Sequence, residues 1–166
     1  MRWLGAALAS ALVVAAVAVA PAAAGTTAVP VSMTLVEVLT SPAQQADCPD
    51  IAIAFNCGVG VVVPFGVATE EVAFGEGCGG ACDSRVVTVA SGSLFLDETA
   101  SDFSCPGACA ASPPFPLSSP FRLNLTDVVV GGTGIFDGAS GTLTGSARIS
   151  GPHAQIKLSG TVTLDP

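Results

Sequence analysis

The sequence predicts an all-β chain, most simply an antiparallel barrel of eight strands or nearly so, with a β-sandwich as the alternative architecture. Three observations lead there. Residues 141–150 and 154–164 alternate apolar and polar side chains without a break, the mark of strands with one dry face and one wet face. No segment beyond the N-terminal leader repeats apolar residues at helical spacing. Short β-rich runs recur between Gly, Pro, Asn and Ser, and counting them gives eight or nine strands, which suits a closed barrel.

The chain opens Met1-Arg2-Trp3, continues apolar to Ala20 and ends that run in Pro21-Ala22-Ala23-Ala24. One basic residue, an apolar middle and a small-residue end read as a secretory signal peptide cut after Ala24, with an uncut membrane anchor as the alternative. The expectation is an exported protein, extracellular or periplasmic, with no stable membrane anchor after cleavage. Residues 25–166 then form a single domain long enough for a real core.

Charge narrows the partners. Without Arg2 the basic residues are Arg85, Arg122, Arg148 and Lys157, against 13 acids. Nucleic acid and an anionic membrane surface are therefore poor partners. The single Trp leaves with the leader and there is no Tyr, which argues against carbohydrate-binding and antibody-like surfaces.

The exported chain keeps six cysteines, an even count that points to disulfides. Cys78 and Cys82 enclose Gly79-Gly80-Ala81, and Cys105 and Cys109 enclose Pro106-Gly107-Ala108. Such small, turn-forming residues favour local closure, giving Cys48–Cys57, Cys78–Cys82 and Cys105–Cys109. Crossed pairing of Cys78 or Cys82 with Cys105 or Cys109 is the competitor.

Taken in order, residues 31–39 alternate as a strand, residues 44–50 form a polar loop, and residues 51–55, 59–65 and 67–74 are short strands, the last interrupted by Glu70 and Glu71. Residues 75–80 make a glycine-rich turn. Residues 85–96 are β-rich and bend at Ser91-Gly92-Ser93, and residues 97–102 read as an acidic loop. Five prolines between Cys105 and Pro120 exclude a helix or inner strand. In residues 121–130 the apolar positions change parity after Asp127, from Phe121, Leu123 and Leu125 to Val128 and Val130, which predicts a bulge near Asp127 or burial of both faces beyond it. Gly151-Pro152 turns the chain between the last two strands.

Residues 131–141, GGTGIFDGASG, combine glycines able to adopt unusual backbone angles, one large apolar anchor in Phe136, and the tight-turn pair Asp137-Gly138. Followed by the Thr-Gly-Ser strand, this stretch resembles the GGTGxFxGAxG signature of allene oxide cyclase-like and dirigent-like barrels. The resemblance implies an eight-stranded antiparallel barrel whose lumen accepts an apolar small molecule. It carries over no catalytic residue, because the family's functional residues lie mainly on strands that do not align here.

Catalytic constellations are absent from the pattern. His153 stands alone in a hairpin turn, and no G-x-S-x-G elbow occurs. The C-x3-C pairs could space zinc ligands, but export favours disulfides, so no metal and no cofactor is expected. Glu70 and Glu71, as strand neighbours, face opposite ways. Asp97, Glu98 and Asp102 could contribute to a weak calcium site, although a solvated acidic loop is the simpler reading. Asn124-Leu125-Thr126 matches a glycosylation acceptor but lies mid-strand. Arg122 and Arg148 sit on the polar side of clean strands; facing inward, they would anchor an anion in the lumen, and facing outward they would not. The expected function is non-catalytic binding of a small apolar or amphipathic ligand, or of a surface partner. The alternatives are an allene oxide cyclase-type isomerase or cyclase and a structural envelope protein.

Overall fold

The computed structural model describes residues 25–39, 56–105 and 120–165. They form a closed eight-stranded antiparallel barrel in which each strand pairs with the next and the first pairs with the last. The strands are β1 (Thr27–Leu39), β2 (Asn56–Val63), β3 (Gly66–Gly77), β4 (Cys82–Val89), β5 (Gly92–Ser104), β6 (Phe121–Gly132), β7 (Ser140–Ser150) and β8 (His153–Leu164). Closure of β1 on β8 runs from Thr27 opposite Leu164 to Val38 opposite His153, and leaves no free sheet edge.

Alternation decides what faces inward. Val31, Met33 and Leu35 on β1, Leu94 and Leu96 on β5, Leu123 and Leu125 on β6, and Ile156, Leu158 and Val162 on β8 form one buried core. Eight strands enclose a lumen that side chains can fill. One end is stoppered by the corner between β6 and β7. There Gly134–Phe136 makes a single 3-10 turn, and Phe136 drops into the core edge-on against Phe65, with ring centroids 4.9 Å apart. Gly134 is required at this corner: it has φ +62°, and an added Cβ would lie 2.3 Å from the Ser91 carbonyl oxygen.

Several expectations change. Residues 97–102 are not a loop but the body of β5, because Glu98 turns inward to a buried cation and needs no water. β6 keeps one phase throughout: Asp127 and Val129 are buried with Phe121, Leu123 and Leu125, while Val128 and Val130 are exposed. The bulge falls later than Asp127, at Val130, where Leu96 faces Val129 and Phe95 faces Gly131. The stretch 51–55 and most of the proline-rich stretch after Cys105 lie outside the described residues.

The outer wall is uneven. On β1 to β3 it carries Val36, Val38, Val59, Val61, Val63 and Val67, all exposed. On β7 and β8 it carries Thr142, Thr144, Ser146, Arg148, Gln155, Lys157 and Ser159.

Candidate functional site

A layer of ionisable side chains crosses the lumen among these apolar residues. Each member holds the inward phase of its strand: Glu37 follows Leu35, Glu70 lies between Ala68 and Val72, Arg85 precedes Val87, Glu98 follows Leu96, and Asp127 follows Leu125. All are buried, Asp127 at 0 % exposure and Arg85 and Glu70 at 1 %. Neighbouring strands bring them to one level. Gly58 is the partner of both Glu37 and Glu70, and Glu98 stands directly opposite Asp127.

Arg85 organises the layer. Its Nη1 donates to Glu37 Oε1 at 2.6 Å and also to Glu70 Oε2, while Nε donates to Glu98 Oε2 at 3.0 Å and Nη2 reaches the same oxygen. Asn56 Nδ2 donates to Glu37 Oε2 at 3.2 Å. Gly58 leaves the room this needs, since a Cβ there would lie 2.6 Å from Glu70 Oε1.

One guanidinium faces four carboxyl groups, and the hydrogen bonds do not close. Among the described residues, Glu70 Oε1 and both carboxyl oxygens of Asp127 are buried with no donor placed on them. Two ionised carboxylates directly opposite each other repel, so a proton belongs between Asp127 and Glu98, letting Asp127 donate to its neighbour. Burial, reinforced by Glu98, raises the Asp127 pKa to about 8, against the pull of Arg85. Burial likewise raises Glu70 to about 8, opposed by Arg85 and helped by Glu37. Burial opposes the charge of Arg85, but Glu98, Glu37, Glu70 and Asp127 outweigh it and hold the guanidinium charged. The layer can therefore hold protons at neutral pH on acids that ionise much lower in water.

The residues singled out from sequence lie elsewhere. Arg122 and Arg148 are both exposed on the outer wall, as cross-strand partners on β6 and β7. The condition for an anion anchor in the lumen is therefore not met: both take the outward placement, on the polar phase opposite to Leu123 and Ala147. His153 is exposed beside the β7–β8 turn. Asp97, Glu98 and Asp102 are not gathered into a calcium site: Glu98 points into the lumen, Asp97 accepts from the Cys78 amide at 3.1 Å, and Asp102 accepts from Asn124 Nδ2 at 3.0 Å.

Cys78 and Cys82 form the expected local disulfide, with Cα atoms 5.4 Å apart. Cys57 and Cys105 are also disulfide-bonded. The pairings proposed for them, to Cys48 and Cys109, involve residues outside the described ones.

Sequence reasoning missed Glu37, Asn56, Arg85 and Asp127 as site residues, weighed Glu98 only for a calcium site with Asp97 and Asp102, and set Glu70 aside as a strand interruption that makes no carboxylate pair with Glu71. The available signal was phase, since every one of these charges falls on the apolar parity of its own strand. Fold and site together define a closed eight-stranded barrel with an ionisable layer in its lumen. No family model, curated protein or solved structure matches the chain.

Proposed function

We infer that the protein is an exported binder of a small amphipathic molecule, held in the barrel lumen at the ionisable layer. The supporting observation is a pair of buried carboxyl oxygens, Glu70 Oε1 and the Asp127 oxygen not turned to Glu98, that no donor among the described residues reaches. Buried polar atoms are nearly always satisfied, and an orphaned one is costly. A ligand with a hydroxyl or amine head satisfies them, while its apolar body lies against Leu35, Leu96 and Leu125. Phe136 closes one end of the barrel against Phe65, so the ligand head belongs beside the unpaired oxygens rather than at that end. Arg85 takes no new partner in this reading; it fixes Glu37, Glu70 and Glu98 in place.

The raised acids favour one second reading. A carboxylic acid that keeps its proton near neutral pH beside a carboxylate is equipped for general acid–base work. This fits an isomerase or cyclase of the allene oxide cyclase type suggested by residues 131–141, acting on an apolar epoxide.

Native mass spectrometry with organic extraction of the purified protein tests the binding reading. A bound small molecule whose retention falls in Asp127→Asn and Glu70→Gln supports it. An empty protein that takes up neither a long-chain amine nor a long-chain alcohol rejects it. Turnover of a fatty epoxide above the uncatalysed rate, lost in Asp127→Asn, selects the second reading.

A further inference from the structure

Besides the lumen, one place on the outer wall combines charge, shape and an unsatisfied arrangement. Ser104, Arg122, Arg148 and Gln155 are successive cross-strand partners on β5, β6, β7 and β8, and all four are exposed. One row away, Asn124, Ser146 and Lys157 are likewise successive partners. Every basic residue after the leader other than Arg85 therefore lies on the outer face of β6 to β8. Among the described residues none of these three forms an ion pair, whereas Arg85 forms three. Asp102, on β5 beside this row, is turned to Asn124. The exposed acids Glu76, Asp137 and Asp165 lie near the end of β3, at the β6–β7 corner and just past the end of β8.

Like charges placed directly opposite on adjacent strands repel and destabilise the pair. The arrangement becomes favourable when an oxyanion lies between the two guanidinium groups and accepts from both. A cavity of about 340 Å³ opens at this point of the barrel rim, lined by Ser104, Cys105, Pro120, Phe121, Arg122 and Arg148. Its polar side is the arginine pair with Ser104; its apolar side is Phe121, Pro120 and Cys105.

We propose that this rim cavity is a binding site for an organic carboxylate, with the carboxylate clamped between Arg122 and Arg148 and a short apolar body against Phe121 and Pro120. In a chain of strong net negative charge, anions are repelled elsewhere, so the unpaired cations of β6 to β8 also direct the approach. Its two cations face away from the lumen, and the inference does not rest on what the lumen binds.

Isothermal titration of the purified protein with decanoate tests this, alongside decanol and decyltrimethylammonium as probes of the same chain length. The expected result is saturable one-to-one decanoate binding that weakens with salt, with neither control binding at the same site. Arg122→Gln and Arg148→Gln should each weaken it about tenfold or more, the loss expected for one charge-assisted pair of hydrogen bonds. Both side chains are exposed, so the variants should fold, which far-ultraviolet circular dichroism verifies. Asp127→Asn should bind decanoate as well as the unaltered protein does. The proposal is overturned if decanoate does not bind, if decanol displaces decanoate equally well and its binding is weakened by the same arginine variants, or if both arginine variants bind decanoate normally. Loss of decanoate binding in Asp127→Asn, with normal binding in the arginine variants, would place the molecule in the lumen and also overturn it.

Discussion

Two layers of the same lumen solve the problem of filling a small barrel in opposite ways. Around Phe136 the interior is apolar, each side chain is satisfied by contact alone, and the edge-on packing of Phe136 against Phe65 closes the end. Around Arg85 the interior is ionic, and satisfaction depends on protons and on partners up to 48 residues apart in sequence. The apolar layer should respond to loss of volume and ignore pH. The charged layer should respond to loss of charge and follow pH closely.

The largest effect is expected from Arg85→Met. It leaves Glu37, Glu70, Glu98 and Asp127 buried without their shared cation. Breaking a buried ion pair by removing one partner costs about 3–5 kcal/mol. Urea unfolding at pH 7 should show a loss of that size or failure to fold, with partial recovery at pH 5, where the carboxyls are more fully protonated. No recovery at pH 5 would mean that Arg85 acts mainly by packing.

Phe136→Ala supplies the contrast. Emptying a buried aromatic site costs about 3–5 kcal/mol, and the deficit should be the same at pH 5 and pH 9. A deficit that grows with pH would show that the two layers are coupled.

Next in size is the pH dependence of the unaltered protein. Glu70 and Asp127 have folded-state pKa values raised to about 8 from ordinary values of 4.5 and 3.8. Between those limits the folded chain holds protons that the unfolded chain has released, so stability falls as pH rises and levels off above about 8. Each retained proton contributes a slope of about 1.4 kcal/mol per pH unit. Melting temperatures should therefore be higher at pH 5 than at pH 9. Asp127→Asn, which keeps a donor toward Glu98 without the titration, should remove one proton's share of that slope and raise stability at pH 9.

The smallest effect belongs to the outer wall. Without an anion present, Arg148→Gln should raise stability by a few tenths of a kcal/mol by relieving repulsion from Arg122. A loss of stability instead would mean that the pair has an attractive partner.

The fold was legible because the strongest pattern was local. The unbroken alternation in β7 and β8, the Gly-Pro turn between them and the glycine corner ahead of β7 each needed only a few adjacent residues to be read. The candidate site was hidden because its logic is not local. Asp127 looked like a break in phase because Val128 and Val130 drew the eye to the wrong face. Those valines lie on the exposed wall, where β-branched side chains fit a pleated surface without burial. Glu98 looked like part of a solvated acidic run because nothing near it in sequence announces that Arg85 waits across the β4–β5 pairing. Arg122 and Arg148 were noticed for lying on clean strands, but phase alone placed them outside.

The most direct test is a pH titration of the side-chain carboxyl carbons by carbon-13 NMR on the folded protein, with Asp127→Asn and Glu70→Gln used for assignment. Two carboxyl resonances titrating near pH 8, and vanishing one at a time in the two variants, are the predicted result. Complete titration of every carboxyl below about pH 5 would contradict a proton-holding layer at the heart of the barrel.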